Sequence, residues 1–157
     1  MLRRAFIAIL LSLLLCSAAA LAADKPDFSG TWKLNVDKSD FGPMPKPEKV
    51  EYILEHKDPE LIVKTKAVTQ SGEVTNESKI LTDGTEFTND LRGQQITGTA
   101  KWEGKTLVVT RKTTMQGTDL TLVQRWTLSE DGKSITQDVS ITTANGELKQ
   151  KVVLEKI

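Results

Sequence analysis

From residue 28 onward, apolar and polar residues alternate, and turn chemistry interrupts the alternation at short intervals. In the stretch FSGTWKLNV, Phe28, Gly30, Trp32, Leu34 and Val36 share one face, and Ser29, Thr31, Lys33 and Asn35 share the other. A period of two is that of a half-buried strand. Glycines at 72, 84, 93, 104, 117, 132 and 146 then punctuate the chain every 9 to 15 residues. Four of them close the pairs Asp83-Gly84, Glu103-Gly104, Asp131-Gly132 and Asn145-Gly146. Asp-Gly and Asn-Gly readily supply the positive φ that tight hairpins need. Lys57-Asp58-Pro59-Glu60 is a further turn without glycine. The runs between turns are rich in Thr, Val, Ile and Leu, and none carries a helical stripe. Ten strands are predicted, roughly at 28–36, 49–57, 60–70, 73–81, 85–91, 94–103, 105–115, 118–129, 133–143 and 146–156.

Consecutive strands joined by short hairpins form an up-and-down meander. An open sheet of that width leaves two long edges unpaired, and closure removes them. The pattern therefore predicts an all-β fold, an antiparallel up-and-down β-barrel of eight to ten strands. One connection departs from the hairpin rule. Residues 37–48, DKSDFGPMPKPE, hold Pro43, Pro45 and Pro47, which oppose both helix and central strand. The segment is either a lid or plug over one barrel end or a plain surface connection.

The start of the chain reads differently. Arg3 and Arg4 precede a nearly unbroken apolar run from Ala5 to Leu15, and Ala20-Leu21-Ala22 offers small residues for a signal peptidase. Residues 1–22 are read as a signal peptide, too short in its apolar run to span a bilayer comfortably. A rival reading lipidates Cys16, but Leu13-Leu14-Leu15 precedes it where a small residue is wanted. Cleavage after Ala22 leaves one domain, residues 23–157, without cysteine. The loss of Arg3 and Arg4 leaves 19 basic against 21 acidic side chains, a net charge of −2. With no basic patch, nucleic acid is not an expected partner. No second long apolar run exists, so no membrane span is expected in the mature chain. The expected product is a monomer, periplasmic or secreted.

Phe28-Ser29-Gly30-Thr31-Trp32-Lys33-Leu34 resembles the N-terminal signature of the calycin superfamily, the lipocalins and fatty-acid-binding proteins. The wording is nearer the fatty-acid-binding branch, and the C-terminal Leu154-Glu155-Lys156-Ile157 suits it. The chain also resembles secreted bacterial lipocalin-like proteins. The resemblance implies a closed barrel around a cavity for a small apolar or amphiphilic ligand. Two departures stand out. The Pro-rich segment 37–48 occupies the place of the two helices of fatty-acid-binding proteins. The positions matching their late Arg-x-Tyr pair are Val152 and Leu154, so the fatty-acid clamp does not carry over.

Strand phase selects the inward residues. Most are apolar, but Asn76, Ser78, Asn89, Arg111, Gln124, Gln137 and Gln150 are polar residues in apolar phase. Each buried polar group left unpaired costs roughly 1–3 kcal/mol. A band of them points to a wet cavity or to a network around a ligand's head group. Arg111 is the candidate anion contact, because a guanidinium bonds carboxylates in two places at once. Leu120, Leu122 and Val139 are the candidate wall for an apolar tail. Two other readings stay open. The amides can satisfy one another and hold only water, or a bulge can reverse the phase of a strand and turn Arg111 outward.

His56 is the only histidine, in phase with Val50, Tyr52 and Leu54. One histidine without cysteine makes no zinc site. Barrel haem proteins resemble the chain faintly but use a late histidine, and none follows residue 56, so no cofactor is expected. Arg125 faces outward, and the resemblance to lipocalins, where a late-strand arginine packs over the tryptophan of the closed end, implies that it caps Trp32 by a cation–π contact. There is no Gly-x-Ser-x-Gly elbow, and an enzyme is not expected. The reading is a ligand-binding barrel, with a filled barrel for structure or protein interaction as its alternative.

Overall fold

A computed structural model describes residues 24–69 and 72–157 of the protein. The leader read at 1–22, with Cys16, lies outside the described residues. Ten strands follow one another: β1 (Gly30–Leu34), β2 (Lys49–Lys57), β3 (Glu60–Thr69), β4 (Gly72–Leu81), β5 (Phe87–Leu91), β6 (Gln94–Glu103), β7 (Thr106–Met115), β8 (Thr118–Leu128), β9 (Ser134–Thr143) and β10 (Gly146–Lys156). They form one antiparallel sheet in the order β4-β3-β2-β1-β10-β9-β8-β7-β6-β5, with no helix among the described residues. The meander expected from the turn spacing is thus present. β1 joins its two halves, with Trp32 opposite Tyr52 of β2 on one side and Lys156 of β10 on the other.

The alternation of β1 sends Trp32 and Leu34 into the core, where Trp32 is fully buried. Its indole Nε1–H donates to the carbonyl of Phe28 at 2.9 Å. Gly30 has φ +139°, and a Cβ there would lie 2.8 Å from the Lys156 side chain. The missing side chain therefore leaves room for the Lys156 side chain to lie across β1. Lys156, not Arg125, sits on the Trp32 ring, at 5.2 Å. Arg125 lies opposite Val108 and Asp138 and pairs with Glu103 at 2.6 Å. The register places Lys156 beside Trp32, so the cap comes from the neighbouring strand. Gly98 serves a different contact: a Cβ there would lie 2.5 Å from the Thr110 carbonyl and 2.7 Å from the Phe87 ring.

The Pro-rich segment is anchored at Asp40 and Phe41 and runs exposed from Gly42 to Lys46. Asp40 and Lys151 exchange two backbone hydrogen bonds, at 2.7 and 2.8 Å, extending the edge of β10 beyond the short β1. Phe41 then enters the core, 8% exposed, and its carbonyl accepts a hydrogen bond from Gln150 Nε2 at 3.0 Å. Prolines 43, 45 and 47 follow this anchor.

Closure of the barrel is incomplete in one place. β4 and β5 end the sheet and share no ladder. The side chain of Asn89 spans part of this seam. Its Oδ1 accepts from the Lys79 N–H at 2.8 Å and its Nδ2 donates to the Lys79 carbonyl at 2.9 Å. A side-chain amide has the donor and acceptor of a peptide group, so one residue stands in for a rung of the ladder. Asn89→Ala is expected to cost about 1 kcal/mol and to speed hydrogen exchange at the Lys79 amide. Unchanged exchange there, measured by NMR, would show that the pair does not hold the seam.

Candidate ligand-binding site

The strands around the seam and the far wall line a half-open cavity of about 270 Å³. Its polar lining comes from Tyr52 of β2, Thr65 of β3, Asn76 and Ser78 of β4, Asn89 of β5, Arg111 of β7, Gln124 of β8 and Gln137 of β9. Its apolar lining is Val63, Leu91, Ile96, Leu122 and Trp126. These residues converge because each holds the inward phase of its strand, and no bulge reverses β7 between Thr106 and Met115.

Arg111 is the one charged side chain on this lining. Burial brings its pKa down from its ordinary value to about 10, a shift partly opposed by Tyr52. The guanidinium therefore remains charged at neutral pH. Arg111 Nη1 donates to Gln124 Oε1, a neutral partner that orients the charge without cancelling it. Burial raises the pKa of the Tyr52 hydroxyl, which stays protonated. No carboxylate lines the cavity, so its electrostatic character is positive. Deeper along β8 and β9, Trp126 and Gln137 are direct cross-strand partners. Both are almost fully buried, and neither Trp126 Nε1 nor Gln137 Nε2 has a hydrogen-bond partner.

Of the residues singled out in the sequence, Arg111, Gln124, Gln137, Asn76, Asn89 and Leu122 line the cavity. Three do not. Gln150 is drawn away to the Phe41 carbonyl, a contact set by the Pro-rich segment rather than by strand phase. Val139 is buried but lines no part of the cavity, and Leu120 lies by a groove beside the β7–β8 turn. Asn89 has most of its hydrogen-bonding capacity committed to Lys79. Tyr52 and Trp126 also line the cavity and are not among the polar residues in apolar phase. Both were in inward phase, and the polar tip of each was the available signal.

At the closed end, His56 lies within a stack of rings. Its centroid is 5.8 Å from Phe28 and 5.9 Å from Trp102. Its Nδ1 accepts the Phe28 N–H at 3.3 Å, while Nε2 is 3.8 Å from Asp58 Oδ1. Among the described residues, no group of three His, Cys, Asp or Glu could hold a metal ion. Asp58 has the lowest carboxyl pKa of this end, about 2, held down by Lys25, then Thr82, against a small opposing effect of burial. The folded pKa lies below the usual 3.8, so the stabilisation is present above pH 4 and is lost as pH falls through 2. The Lys25–Asp58 pair is partly exposed, which limits its worth to about 1 kcal/mol or less. Asp58→Asn should lose stability at pH 7 and show a shallower decline between pH 4 and 2 in urea titrations. An identical acid limb in the variant would remove Asp58 from the account.

A single antiparallel meander of ten strands around a partly polar cavity is the barrel that the alternation and the N-terminal motif lead one to expect. Solved structures share this barrel fold. A secretory abundant heat soluble protein from Ramazzottius varieornatus aligns over 82% of this chain and 94% of its own, with TM-score 0.60 and 11% identity. The zebrafish ileal bile acid-binding protein, complexed with cholic acid, aligns over 83% and 98%, with TM-score 0.58 and 15% identity. Human cRBP IV aligns over 84% and 99%, with TM-score 0.52 and 16% identity. At these identities the likeness is one of fold. No protein-family model matches the chain, and no curated protein sequence matches it.

Proposed function

We propose that the protein is an exported binding protein that holds a small anionic amphiphile inside the barrel, as a monomer and without catalysing a reaction. The observation that carries this reading is Arg111, a half-buried charge with no carboxylate partner on the lining of the cavity. A buried cation is costly unless an anion, amides or water satisfy it. Gln124 supplies one amide acceptor, which leaves the remaining donors of the guanidinium for a ligand. The cholic acid complex of the similar zebrafish barrel supports an acidic amphiphile in this architecture. Against catalysis stands His56, whose Nδ1 is occupied by a backbone N–H and whose ring is enclosed by Phe28 and Trp102. The leader at 1–22 supports export to the periplasm or beyond.

Native mass spectrometry of the protein purified from its own cells tests these points together. The expected species begins at Ala23 and carries one small acidic molecule that is absent from Arg111→Met. A ligand-free species from every preparation would favour the filled barrel, and a lipid on Cys16 would overturn the cleavage site.

A further inference from the structure

We infer that the ligand is a compact, oxygenated organic acid, with its anionic end at Arg111 and an uncharged oxygen at the deep wall formed by Trp126 and Gln137. This rests on the anion-binding reading above and specifies the ligand further. Three observations carry it.

The first is size. A cavity of about 270 Å³ holds roughly nine water-sized groups at about 30 Å³ each. It lies just below the range of about 300–1,000 Å³ usual for drug-sized ligands. A long alkyl chain would run out of this half-open space into water.

The second is the wall. Thr65, Asn76, Ser78, Gln124 and Gln137 place polar groups around the space, between smaller apolar patches. An alkyl tail laid against them strips water from these groups and returns no hydrogen bond. An oxygenated ligand returns some.

The third is the pair of orphan donors. Trp126 is 2% exposed and Gln137 3% exposed, and the Nε1 of one and Nε2 of the other lack partners. Buried donors of this kind are rare and costly. The Arg111 guanidinium reaches Gln124, and Trp126 lies two residues further along β8, about 7 Å at strand rise. The cavity therefore carries donors at two levels. The deeper level has no cation, so it suits a carbonyl, ether or hydroxyl oxygen rather than a second carboxylate. Both nitrogens are covered by protein, and an incoming oxygen engages them with a turn of the Gln137 amide about its broad terminal torsion.

Calorimetric titration with octanoate, its keto analogue bearing a carbonyl next to the terminal methyl, and palmitate tests the inference. The keto acid should bind about tenfold more tightly than octanoate, the scale of one satisfied buried donor. Palmitate should bind no more tightly than octanoate. Gln137→Met, similar in shape, should lose the preference for the keto acid over octanoate. The Trp126 indole N–H resonance, assigned by its absence in Trp126→Phe, should move with the keto acid and stay in place with octanoate. Affinity rising steadily from octanoate to palmitate, or a keto acid that binds no more tightly and leaves the Trp126 resonance unmoved, would overturn the inference and leave the anion reading standing. Failure of all three acids to bind would overturn both.

Discussion

Trp32→Ala should lower the free energy of unfolding by about 3–5 kcal/mol, the usual cost of deleting a buried aromatic side chain. Trp32 is fully buried, and its loss leaves a cavity that the rigid neighbouring strands cannot collapse into. The substitution also orphans the Phe28 carbonyl, which accepts the indole N–H. Lys156 loses the ring beneath it. Small domains hold only about 5–15 kcal/mol in total, so the variant should be largely unfolded in mild denaturant. Trp32→Phe keeps much of the volume and should lose less. Urea titrations followed by far-UV circular dichroism give both values. A loss below about 1 kcal/mol for the alanine variant would mean that Trp32 is not the keystone of the closed end.

Arg111→Met should separate stability from binding. Burial lowers the folded pKa of Arg111 to about 10, so folding disfavours its charge. For a base with a lowered folded pKa, that penalty is fully present below pH 10 and fades only as pH rises toward the unfolded value. Neutral pH is therefore inside the range where the charge is a burden. Methionine fills similar space without charge, so the ligand-free variant should melt at the same temperature as the wild type or higher. The same change should reduce affinity for an anionic ligand by about 1.5–3 kcal/mol, the worth of a hydrogen bond to a charged group. Thermal melts and titration with a fluorescent anionic lipid probe read the two halves. A variant that melts lower and binds equally well would assign Arg111 to structure.

Period-two alternation made the strands and their inward faces legible in the sequence. Because β7 and β8 pair residue for residue from Thr106–Thr127 to Met115–Thr118, phase alone places Arg111 and Gln124 on the inner face. The Phe28–Leu34 motif likewise gave the buried Trp32. What phase does not carry is contact across the barrel. Gln150 shares the inward face, yet its amide goes to Phe41, because a 12-residue segment without regular alternation folds into the end. Lys156 rather than Arg125 reaches Trp32 because register, not composition, sets which cation lies beside it. The seam between β4 and β5 was hidden as well. Both read as ordinary strands, and only their positions at the two ends of the sheet leave Asn89 to bridge them.

The central claim is that the barrel interior is an anion site centred on Arg111. NMR of the side-chain Nε–H resonances of arginine during a titration with octanoate addresses it most directly. The account predicts that the Arg111 resonance shifts and saturates at one equivalent, while those of Arg92 and Arg125, on the outer surface, stay in place. An Arg111 resonance that does not move, or one that moves together with the surface arginines and never saturates, would contradict it.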